Sequence, residues 1–265
     1  ATAAAVLFPR IDETADDQWI EWAARDLLGH QYHKSMLVAF SYDRDYGEAR
    51  KLAEHLSQPQ FANYMYQAIA VELAAQLAQR EGDFKDFVLP SPDEWKKIAK
   101  TMAREDQIVY LAERLRLLNC IQYAQPGDVD YRDAQYAAPH LEFDPIERMR
   151  KPSEVINPYN ELMRMRIAVG ELPILMPFLK DDRFMSTFSY WRTFHHSRTL
   201  HRVNWAVANV VNNAAKRHLV AIDDYEPLDA AGREKYVQDA LAWCRANAGK
   251  SDEELILATM KNSES

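Results

Sequence analysis

A chain that uses glycine only seven times in 265 residues has few places to turn tightly, and turn-rich β architectures need many such places. Helix is therefore favoured before any motif is read. With 48% hydrophobic residues the chain can bury a substantial core. A single domain and two joined lobes are both open on length alone. The reading adopted is one helical-repeat domain over residues 1–265, all-α, with negligible strand.

The apolar spacing supports this. Trp19, Trp22, Ala23 and Leu27 form one stripe behind Thr14 and the acidic pair Asp16-Asp17, and Gly29 is read as the stop of that helix. Met36, Leu37 and Phe40 follow. After a break at Asp43-Arg44-Asp45, residues Ala49, Leu52, Ala53 and Leu56 repeat at helical spacing. Beyond Pro59 the stripe Phe61, Tyr64, Met65, Ala68, Ile69, Leu73 and Leu77 predicts a long helix. Ser91-Pro92-Asp93-Glu94 is a capping box with proline at the first helical position, and Trp95, Ile98 and Met102 face inward after it. A second strip, Ile108, Leu111, Ala112, Leu115 and Leu118, begins past a tight junction near Glu105. Two short consecutive helices of this kind are the unit of an α-solenoid.

The N-terminal helices thus occupy about 14–119. A long loop at about 120–160 breaks the pattern with Pro126, Pro139, Pro145, Pro152 and Pro158 among Tyr123, Tyr131, Tyr136 and Phe143. Either its aromatics staple it to the helices or it carries function. The C-terminal helices fill about 161–262. They comprise a stretch from Leu162 through Leu172, Leu175, Met176 and Leu179, a helix from about Leu200 to Arg217, another from Asp229 to Asn247, and a last one opened by the capping box Ser251-Asp252-Glu253-Glu254. Asn204, Asn209, Asn212 and Asn213 give the helix after His201 an unusually polar face for a weak helix former, so that this face is either solvated or meets something.

A formal net charge of −8 disfavours a nucleic-acid partner. Two cysteines, Cys120 and Cys244, exclude a cysteine-rich zinc module; both are expected to be buried thiols, with one disulfide as the alternative. No apolar run is long enough to span a bilayer. The small residues at the start, Ala1-Thr2-Ala3-Ala4-Ala5, fit the mature end of an exported, periplasmic protein, and fit a cloning remnant as well.

Several segments read together as one pattern: Arg114-Leu115-Arg116-Leu117-Leu118-Asn119-Cys120, Gln125-Pro126-Gly127-Asp128-Val129-Asp130-Tyr131, Val155-Ile156-Asn157-Pro158-Tyr159, Leu179-Lys180-Asp181-Asp182-Arg183 and Tyr190-Trp191-Arg192-Thr193-Phe194-His195. With Trp243, Asn247, Gly249-Lys250-Ser251 and Glu254 near the end, this resembles exported HEAT-like repeat proteins of environmental bacteria. The resemblance covers mainly residues 105–262. It implies an α-solenoid that acts as an interaction scaffold, and it brings no common enzymatic reaction.

The densest chemistry lies at 190–202, where Trp191, Arg192, His195, His196, Arg198, His201 and Arg202 crowd one junction and Asn204 follows. Arginine forks beside a helix start suit a carboxylate or phosphate. The bland alternative is a structural tie, with Arg192, Arg198 and His201 bridging to Asp181, Asp182 and nearby carbonyls. A metal is disfavoured because His195 and His196 are adjacent and cannot face the same way, and no H-E-x-x-H or E-x-x-H occurs. The chain also lacks a G-x-S-x-G elbow, a Walker loop and a strand-linked G-x-G-x-x-G. The paired acids Asp16-Asp17, Asp181-Asp182 and Asp223-Asp224 read as helix caps. Tyr64 and Tyr66, with Trp19 and Trp22, either frame a ligand or belong to the core.

What results is the expectation of a non-enzymatic interaction scaffold or accessory subunit that docks a protein or a multi-subunit assembly and needs no cofactor. The competing reading is a small-molecule or metal-binding accessory enzyme centred on 190–202.

Overall fold

A computed structural model describes residues 17–62, 64, 66–80, 88–118, 121–123, 155–190, 200–222 and 229–263. The described chain is mostly helical. It separates into two compact units, Ala1–Glu81 and Gly82–Ser265.

In the first unit, α1 (Asp17–Val38) runs into one wide π-helical turn, Ala39–Asp43. The turn ends at Arg44, whose φ of 52° is left-handed, so the break expected at 43–45 is real. Asp45 then caps α2 (Tyr46–Leu56) by accepting from the Glu48 amide at 2.9 Å. A short 3-10 turn (Pro59–Phe61) precedes α3 (Gln67–Arg80), so the long helix expected after Pro59 starts later than its stripe suggests. Met36, Phe40, Ala49, Ala53, Leu56, Leu73 and Leu77 make the core.

Gly29 is a correction. It lies inside α1 and does not end it. A Cβ there would come within 2.8 Å of Tyr64 Cδ2, so the absent side chain is what admits the Tyr64 ring against the helix.

In the second unit the capping box forms as expected: Ser91 Oγ accepts from the Glu94 amide at 3.3 Å and Glu94 Oε2 accepts from the Ser91 amide at 2.8 Å, opening α4 (Pro92–Thr101). After α5 (Arg104–Arg114) the chain tightens into a 3-10 turn, Leu115–Leu117. Trp95 of α4 stacks on Tyr110 of α5 at 5.3 Å, and the Arg114 guanidinium lies 3.4 Å from the Tyr110 centroid on the same helix. The Trp95 indole N–H donates to Glu161 of α6 (Pro158–Arg164) at 3.2 Å, so one stack ties three helices. Part of the expected 120–160 loop is therefore regular, since β1 (Ile121–Tyr123) and the start of α6 fall within it, and residues 155–157 lead into α6; residues 120 and 124–154 lie outside those described.

The stretch expected to continue as helix from Leu162 to Leu179 divides at Arg166, where φ is 48°. Beyond it Val169–Lys180 is a twelve-residue 3-10 helix, far longer than such helices usually run. Pro173 and Pro177 remove two amide donors an α-helix would use, and three residues per turn lines up Val169, Leu172 and Leu175 on a single buried edge. The backbones of α5, α7 (Val203–Ala215) and α8 (Ala230–Asn247) all lie against this 3-10 helix. Arg104 fastens its start: the guanidinium meets Glu171 and donates to the Met165 carbonyl at 2.8 Å, while Glu171 accepts from the Ala168 amide at 2.8 Å.

Strand content is the second correction. β2 (Phe184–Tyr190) is the centre of a three-stranded sheet in the order β1-β2-β3, parallel to β1 and antiparallel to β3 (Leu200–Arg202). The helix expected from Leu200 starts at Val203, because 200–202 pair with β2 first. The last helix, α9 (Asp252–Ser263), opens on its capping box, with Ser251 Oγ accepting from the Glu254 amide at 3.3 Å. Among the described residues no helix is long and apolar enough to cross a membrane. Cys244 is a free, buried thiol whose pKa burial pushes up to about 11; Cys120 lies outside the described residues.

Candidate functional site

Trp191, Arg192, His195, His196 and Arg198 of the expected 190–202 site lie outside the described residues. The other three, His201, Arg202 and Asn204, are buried at the point where β3 becomes α7.

This junction is built by backbone exchange. The Val203 amide donates to the Arg183 carbonyl at 3.0 Å and the Asn204 amide to the Asp181 carbonyl at 2.8 Å, which satisfies two of the donors a helix start leaves open. Arg202 donates to the Asp182 carbonyl at 3.0 Å, and its guanidinium lies 4.5 Å from the centroid of the Phe184 ring, the residue it pairs with across the sheet. Arg202 thus makes the kind of carbonyl tie expected of a structural arginine. Asp181 and Asp182 do not serve as caps here. The Asp181 carboxylate holds the Arg183 amide and guanidinium, and Asp182 pairs with Arg233 of α8 at 3.4 Å. The His201 ring lies against Trp205, one turn on, at 4.3 Å between centroids.

Three further polar side chains share this junction, and sequence reasoning missed them. Ser186 and Thr187 sit on β2 and are fully buried, and Arg116, 4% exposed, sits on the 3-10 turn 115–117. The Thr187 hydroxyl donates to the Leu118 carbonyl at 2.6 Å, which brings the end of that turn against β2. The same turn also approaches α7. Four elements therefore converge on a region that is buried yet polar, and burying polar groups costs free energy unless each finds a partner. Two do not find one: Ser186 Oγ and Asn204 Oδ1 are buried and make no hydrogen bond. The readable signal was an arginine inside the apolar run Leu115-Arg116-Leu117-Leu118, and a Ser-Thr pair between Met185 and Phe188.

The asparagine face of α7 has a second, different use. Asn212 Oδ1 accepts from the Leu219 and Val220 amides, each at 2.8 Å, and its Nδ2 donates to the Val220 carbonyl at 2.7 Å, latching the chain that leaves the helix. Asn213 is exposed.

In the first unit Tyr64 and Tyr66 belong to the core, and they gather two histidines of α1. The His30 imidazole lies 3.2 Å from the Tyr64 hydroxyl and 3.5 Å from Asp26, and His33 stacks on Tyr66 at 4.6 Å. Trp19 and Trp22 stand on α1, their side chains outside those described. Among the described residues no three of His, Cys, Asp and Glu gather in a metal-holding group.

No protein-family model matches the chain, and neither a curated protein nor a solved structure shows a significant match to it.

Proposed function

We propose that this protein is a non-enzymatic interaction scaffold or accessory subunit that docks a partner protein through α9. One observation carries the reading: Ile256, Leu257 and Met260, at positions i, i+1 and i+4 of one short helix, are 45, 50 and 58% exposed. Leu255, between them and the capping box, is buried and faces the unit's core, so α9 is seated on one side and apolar on another. The proposed occupant is an amphipathic helix of a protein partner. The exposed acidic turn Asp252-Glu253 at the start of α9 favours a partner helix with lysine or arginine at that end. An α-solenoid of HEAT-like pairs is part of the same proposal. It draws on the succession of short helices α4, α5 and α6, although a 3-10 segment stands at the centre of that unit.

Affinity capture from the native source, with wild type and Ile256→Glu side by side, tests the reading. A defined partner retained by wild type and lost in the variant is expected. A wild-type protein that stays monomeric and retains nothing contradicts it. A second reading, a small-molecule site at the β2–β3–α7 junction, is favoured by the two buried polar groups that make no hydrogen bond there.

A further inference from the structure

We draw no further inference here: the strongest candidate, the side-chain cluster of the first unit in which Asp26, His30 and His33 of α1 meet Tyr64 and Tyr66, is part of that unit's buried core, and nothing among the described residues shows a ligand or a partner that it would take.

Discussion

The two ends of α7 treat asparagine in opposite ways. At the C-terminal end Asn212 uses both its oxygen and its nitrogen to hold the Leu219–Val220 backbone. At the N-terminal end Asn204 is buried more deeply, yet its oxygen bonds to nothing. The residue type and the helix are the same, so the difference lies in what surrounds each side chain. The Leu219–Val220 backbone closes off Asn212, whereas Asn204 Oδ1, like Asn209 Nδ2 between them, is buried without a hydrogen bond, at a cost to the fold.

Asn212→Ala should show the largest effect. Removing that side chain leaves two amides and a carbonyl without partners, and the expected loss is about 2–3 kcal/mol by denaturant unfolding. A loss under about 0.5 kcal/mol would erase the contrast from its structural side. Next comes Arg104→Ala, which opens the clamp on Glu171 and the Met165 carbonyl at the start of the 3-10 helix. Because Arg104 is half-exposed, solvent screening discounts the pair, and a loss of about 1–2 kcal/mol is expected from the same measurement.

The clamp also carries a pH signature. The hydrogen bond from Arg104 holds the Glu171 carboxyl below the usual glutamate range. Its folded pKa is therefore lower than its unfolded one, so its contribution is complete above the unfolded value, about 4.3, and is lost as pH falls through the lowered folded value. Unfolding midpoints followed from neutral pH down to about pH 2.5 should fall less steeply below about pH 4.5 in Arg104→Ala than in wild type. Parallel curves would remove the clamp from the acid response. The smallest expected effect is at Cys244: its buried thiol, held well above its ordinary pKa, should resist alkylation in the folded protein and react only on unfolding, as site-resolved mass spectrometry would read.

What was legible in the sequence follows the range of the interactions involved. The capping boxes at Ser91–Glu94 and Ser251–Glu254 are codes written within four residues, and both form as read. The sheet was illegible because β2 finds β1 more than sixty residues earlier in the chain, and its own Phe-Met-Ser-Thr-Phe run looked like part of an aromatic helix junction. The 3-10 helix was read as α because a three-residue period and a 3.6-residue period differ little over a dozen residues; only Pro173 and Pro177 argued otherwise. Gly29 was taken as a stop because its reason, the ring of Tyr64, is tertiary. At the candidate site His201, Arg202 and Asn204 were visible as types in a dense cluster. Arg116 and Ser186 were not, since what marks them is burial, and burial of a polar side chain is decided by which elements meet.

The most direct test of the contrast along α7 is the unfolding free energy of Asn204→Leu, a change that keeps roughly the volume and removes the amide. If Asn204 is held open for a ligand, the unliganded variant is as stable as wild type or more so, because an unpartnered buried polar group has been removed. A loss of about 2 kcal/mol or more, on the scale expected for Asn212→Ala, would show that Asn204 supports the fold and would contradict the account.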